Sequence, residues 1–113
     1  MAKILVIDDS PTQLANLVRI AHDHGHETIT GVDGNQAIEL AESEQPHLIL
    51  MDIVMPNLNG FQACRKLTRN PKTAEIPVIL VSTKSQPTDR LWGERQGAKD
   101  YFSIPPNETR LAA

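Results

Sequence analysis

Short, unbroken apolar runs recur along the chain, separated by stretches in which apolar residues return every three to four positions. Ile4-Leu5-Val6-Ile7, Leu48-Ile49-Leu50-Met51 and Val78-Ile79-Leu80-Val81 contain no polar residue. Strands of a parallel sheet covered on both faces read this way, whereas half-exposed strands alternate. Glu27-Thr28-Ile29-Thr30 does alternate and is rich in β-branched residues, which places it at a sheet edge. Ala98 to Ile104, around Tyr101-Phe102, predicts a weaker fifth strand.

The intervening stretches carry helix signals. Ser10-Pro11-Thr12-Gln13 has the form of a helix start, with Ser10 as N-cap, Pro11 in the first turn and Gln13 placed to close a capping box. Leu14, Leu17, Val18 and Ala21 follow at helical spacing, and Gly25 is the stop. Asp33 to Ser43 predicts a second helix, with Ala37, Ile38 and Ala41 inward and Pro46 beyond it. Asn59-Gly60 opens a third, with Phe61, Cys64, Leu67 and Thr68 on one face. Ser85 to Gln96 predicts a fourth, with Pro87 near its start and Gly97 after its end. Strands alternating with helices imply right-handed crossovers and a parallel sheet covered on both faces. The expectation is one α/β domain over residues 1–113, a doubly wound five-stranded sheet of order 2-1-3-4-5. The tail from Pro106 to Ala113 is short for a fifth helix, so that helix is expected to be truncated.

Three strand ends carry polar residues that packing does not require: Asp8-Asp9 after the first, Asp52 after the third, Ser82-Thr83 after the fourth. In a sheet of this order the first and third strands are neighbours, and ligands bind outside their carboxyl ends, where the strand order reverses. Any single aspartate at a strand end serves more often as a helix N-cap or turn residue. Three at the switch point, with a serine at the next strand end, do not reduce to that. Carboxylates so close repel one another, and a hard divalent cation relieves the repulsion. Magnesium takes oxygen ligands and commonly joins one or two carboxylates to a substrate phosphate. The cluster therefore points to phosphoryl transfer, with Asp52 as the nucleophile that forms an acyl phosphate.

Ile7-Asp8-Asp9-Ser10, Met51-Asp52-Ile53-Val54-Met55-Pro56, Asn59-Gly60, Val81-Ser82-Thr83 and Gly97-Ala98-Lys99-Asp100-Tyr101 together resemble the receiver domains of bacterial response regulators. The resemblance spans essentially the whole chain. It implies a flavodoxin-like fold that accepts a phosphoryl group from a histidine kinase and signals to a downstream protein. It implies Asp52 as phosphoacceptor, with Asp9 and the Val54 carbonyl joining it on magnesium and Asp8 acting through water. Ser82 would be the switch hydroxyl, with Thr83 beside it, and Tyr101 the aromatic that follows it inward. Asn59-Gly60-Phe61-Gln62-Ala63, Thr83-Lys84 and Trp92-Gly93-Glu94-Arg95-Gln96-Gly97-Ala98 look like stand-alone regulators of chemotaxis-like systems that control type IV pili and twitching motility.

Two departures stand out. The family has lysine before the proline that ends strand five, where this chain has Ile104-Pro105. Ile104 cannot pair with a phosphoryl group or couple it to the switch loop. The short tail adds an expectation of self-association, as a homodimer or a domain-swapped pair, because uncovered apolar surface promotes it. An alternative is thus a degenerate receiver that binds protein without responding to phosphate. A third reading, an aspartyl phosphohydrolase, would want an Asp-x-Asp pattern at the first strand and a cap domain. Here Asp8 and Asp9 are adjacent and the chain leaves no room for a cap, so catalysis beyond self-phosphorylation from small donors and autodephosphorylation is not expected.

Composition acts by exclusion. With 40% hydrophobic and 22% charged residues the chain is ordinary for a globular protein. A net charge of -3 speaks against non-specific nucleic-acid binding, which needs a basic surface. No apolar run approaches the roughly 18 residues of a membrane span, and the first residues lack signal-peptide features. The single cysteine, Cys64, can form no intramolecular disulfide, which fits a reducing compartment. A cytoplasmic protein is the expectation. His22, His24 and His26 read as a solvated helix end, His47 as a loop residue, and Cys64 as core.

Overall fold

The computed structural model describes residues 1–55, 57–82 and 94–103. Its elements are β1 (Lys3–Ile7), α1 (Pro11–Asp23), β2 (Glu27–Gly31), α2 (Gly34–Glu44), β3 (Leu48–Asp52), α3 (Gly60–Arg69), β4 (Val78–Ser82) and β5 (Asp100–Ser103). The strands form one parallel sheet of order β2-β1-β3-β4-β5. The three unbroken apolar runs are the interior strands, and the alternating one is the edge strand β2, as their patterns predict. Of the fourth helix expected over Ser85 to Gln96, residues 85–93 lie outside the described residues, while Glu94 and Arg95 are helical. The tail that bears on the fifth helix also lies outside them.

Period-two alternation within the unbroken runs divides the core into two layers. Leu5 and Ile7 of β1 face one side, with Ile49, Met51, Val78 and Leu80, under Ala37 and Ala41 of α2 and Ala63, Cys64 and Leu67 of α3. Ile4 and Val6 face the other, with Leu50 and Val81, under Leu17 and Ala21 of α1. Leu14, Val18 and Ile38 are half-buried at the margins. Cys64 is fully buried, as expected for a core residue.

Local signals start the helices. Ser10 caps α1, its side chain accepting from the Gln13 N–H at 3.3 Å, with Pro11 in the first turn. Asp33 caps α2 through the Gln36 N–H at 2.8 Å. The reciprocal capping box expected at Ser10 is found instead at α3. There Asn59 accepts from the Gln62 N–H at 2.9 Å, and the Gln62 side chain accepts from the Asn59 N–H at 3.0 Å. Past α1, Gly25 takes φ +80°, a left-handed conformation that suits glycine.

An acidic cleft as candidate functional site

The connections leaving β1 and β3 diverge, because α1 covers one face of the sheet and α2 and α3 cover the other. A crevice opens where they part, above the carboxyl ends of β1 and β3. Asp52 is the last residue of β3. Asp8 follows Ile7, whose register partner is Met51, so Asp8 and Asp52 leave the sheet side by side. Carboxylate oxygens of Asp8, Asp9 and Asp52 all lie within 4.8 Å of one another. Asp8 is buried at 3% exposure, Asp52 is half-buried and Asp9 is exposed. The cleft they share, about 410 Å³, is also lined by Ser10, Thr12, Gln13, Val54 and Val81.

Burial and mutual repulsion work against the ionised forms of Asp8 and Asp52. Burial, and then the charges of Asp8 and Asp9, push the Asp52 carboxyl from its ordinary 3.8 up to about 7. The backbone N–H groups of Ile53 and Val54 pull the other way, favouring the carboxylate. Burial likewise raises Asp8, with Asp9 adding to it, against the Ser10 N–H that donates to Asp8 Oδ1 at 2.9 Å. Ser10 therefore serves twice, as helix cap and as donor to a site carboxylate. Pattern reading found only the cap, and it missed Thr12 and Gln13, which reach the cleft because the first turn of α1 borders it.

Gly60 sets how closely α3 approaches. Its N–H donates to the Ile53 carbonyl at 2.8 Å. A Cβ at this position would run into the Asp52 carbonyl oxygen and meet the Ile53 Cα at 2.8 Å. Only glycine lets the helix start against the Asp52–Ile53 peptide, and the Asn59 cap holds it there. The donor set is entirely hard oxygen, with three carboxylates in reach of one point, and it fits an octahedral cation such as magnesium.

The other expected residues are placed unevenly. Ser82 ends β4, one residue past Val81, the register partner of Asp52. Tyr101 lies in β5, in register with Leu80. Val54 lies at the rim of the cleft, 58% exposed. Thr83 and Ile104 lie outside the described residues.

Residues 4–113 match the family described as the response regulator receiver domain. The chain belongs to that family. This receiver is 50% identical over 111 residues to Protein PilH of Pseudomonas aeruginosa, covering 98% of this chain and 92% of PilH. It is 36% identical over 112 residues to the response regulator PleD of Caulobacter vibrioides, covering 99% of this chain but only 25% of PleD. The receiver also superposes, with a TM-score of 0.88 and 26% identity, on the receiver domain of a sensor histidine kinase from Pseudomonas aeruginosa PAO1. That match covers 97% of this chain and 90% of the other, which was solved with a magnesium ion coordinated in its active site cleft. Receivers are signalling modules of two-component-type systems. Among the described residues, no helix is long and apolar enough to cross a membrane.

Proposed function

We propose that this receiver accepts a phosphoryl group on Asp52 from the phosphohistidine of a histidine kinase and passes the signal on through protein contacts. The observation that carries the reading is the convergence of Asp8, Asp9 and Asp52 within 4.8 Å at the switch point of the sheet. A carboxylate oxygen of Asp52 attacks phosphorus, the phosphorus–nitrogen bond to the donor imidazole breaks, and an acyl phosphate forms. Asp8, Asp9, Asp52 and the Val54 carbonyl would hold magnesium, which when bound supplies positive charge against the carboxylates and the phosphoryl oxygens. The Ile53 and Val54 N–H groups favour the ionised form of the nucleophile, against the burial and neighbouring charges that oppose it. Ser82, with Thr83 beside it, would meet the phosphoryl group, and Tyr101 would follow Ser82 inward. The 50% identity to PilH over nearly the full chain supports a role in a chemotaxis-like system controlling type IV pili, in the cytoplasm.

The alternative, a protein-binding module indifferent to phosphate, draws on Ile104 at the position where the family has lysine. Mass spectrometry after incubation with acetyl phosphate and magnesium separates the two. One added phosphoryl group in the parent, absent from Asp52→Asn, is the expected result. No addition to the parent, or undiminished addition to the variant, would refute phosphate acceptance at Asp52.

A further inference from the structure

Away from the acidic cleft, three arginines line one polar cavity of about 300 Å³. Arg65 and Arg69 come from α3 and Arg95 from the helical residues just before the turn that leads into β5, with Thr68, Gln96 and Gly97 completing the walls. All three arginines are exposed. The ion pairs seen among the described residues, Lys3–Glu44 and Arg19–Asp23, involve none of them. The helix macrodipole accounts for cations in the last turn of α3, where Lys66 and Arg69 lie. It does not account for Arg95, which another segment brings alongside. Arg65 and Arg69, four residues apart, also repel each other on the helix surface.

The cavity is built rather than incidental. The Gln96 carbonyl accepts from Thr68 Oγ1 at 3.0 Å and from the Cys64 thiol at 3.5 Å. Gly97 has φ +98°, and a Cβ there would meet Thr68 Cγ2 at 2.6 Å. Two donors on α3 and a glycine thus fix the turn that follows Arg95 against α3. A second cleft of about 570 Å³ shares Arg65 and Arg69 and adds Leu58, Gln62, Lys66 and Asn70. The cationic surface is therefore longer than a single small anion needs.

We infer that this surface docks an extended acidic segment of a partner protein, its carboxylates seated on Arg65, Arg69 and Arg95. Guanidinium groups match carboxylates in two-pronged hydrogen bonds. Residues four apart on a helix are displaced about 6 Å along its axis. Alternate residues of an extended chain lie about 6.7 Å apart, so glutamates at every second position meet Arg65 and Arg69 in step. Leu58 offers the apolar contact that a bare ion would not use. A nucleic acid is disfavoured, because the chain as a whole carries a net charge of -3 and repels a polyanion at long range.

The test is fluorescence anisotropy with a labelled peptide of about nine residues, long enough to place several glutamates at alternate positions along an extended chain. It uses the full chain without magnesium or phosphodonor, so its outcome does not hang on phosphate acceptance. Saturable binding is expected, weakening with added salt, about tenfold weaker in R65Q/R69Q and several-fold weaker in R95Q. Circular dichroism melts of the variants should match the parent, since the substituted side chains are exposed. Absence of binding at low salt, or equal binding by the arginine variants, would overturn the inference. So would displacement by millimolar inorganic phosphate with no preference for alternating over block-clustered glutamates, which marks a small-anion site. Tighter binding of a single-stranded oligonucleotide than of the peptide would also overturn it.

Discussion

Replacing Asp52 with asparagine keeps the shape of the side chain and removes its charge, so the variant should be more stable than the parent in metal-free buffer above neutral pH. Asp52 is an acid whose folded-state pKa, about 7, lies above its ordinary 3.8. The folded protein therefore binds its proton more tightly than the unfolded chain does. The parent loses stability as pH rises from about 4 through 7, and the loss is complete above that range. At about 1.36 kcal/mol per pH unit, a difference of roughly three units sets a ceiling near 4 kcal/mol. Asp52 is half-buried, and solvent screening cuts that figure to about 2 kcal/mol. For a domain of this size, about 4 °C of melting temperature per kcal/mol gives a gain of roughly 8 °C. Thermal melts of both proteins in EDTA, from about pH 4 to pH 8, read the effect directly. The gap should be widest at the alkaline end and close as pH falls through 7. A variant that melts at or below the parent at high pH, with an unchanged circular dichroism spectrum, would refute the electrostatic account. So would a gap that does not narrow on acidification.

Other perturbations probe the cation, a cap and a buried hydroxyl. Magnesium should raise the melting temperature of the parent, because it binds the folded cleft and not the unfolded chain. Asp9→Ala should lose most of that rise, and a magnesium titration followed by melting checks both. Asn59→Ala removes one half of the α3 capping box and should cost about 1 kcal/mol in urea unfolding. Thr73, 1% exposed, donates its hydroxyl to the Leu67 carbonyl at 2.7 Å. Thr73→Val should cost about 1 kcal/mol with an unchanged m-value, through the buried hydrogen bond it removes.

Features written in consecutive residues were legible from the chain. Ile4–Ile7, Leu48–Met51 and Val78–Val81 announce interior strands because a strand buried on both faces needs apolar residues at every position. Asp8, Asp9 and Asp52 announced the cleft because strand order alone brings the ends of β1 and β3 together. Contacts between distant residues were not legible. His26 and His47 read as a helix end and a loop. Their Nδ1 atoms accept from the Ala2 and Lys3 N–H groups, 24 and 44 residues away, at 3.0 and 2.9 Å, and hold the start of β1. Arg95 read as part of a helix pattern, and nothing local shows that it meets Arg65 and Arg69. Gln13 was a sound candidate for a capping box by spacing. The box formed at Asn59–Gln62, which carries the same spacing.

The seat of Gly60 on the Asp52–Ile53 peptide bears on how this chain can vary. Position 60 faces no substrate and holds no reacting atom, yet any side chain there would strike the backbone that carries Asp52. The nearby Asn57 and Gln62 are exposed and meet no such clash, although Asn57 holds a left-handed φ of +68° and Gln62 completes the capping box. A saturation-mutagenesis map scored by signalling output should therefore show a sharp intolerance at Gly60, as deep as that of the acidic residues, beside milder effects at Asn57 and Gln62. Read without the structure, such a map would assign Gly60 to the chemistry, whereas its role is to be empty space.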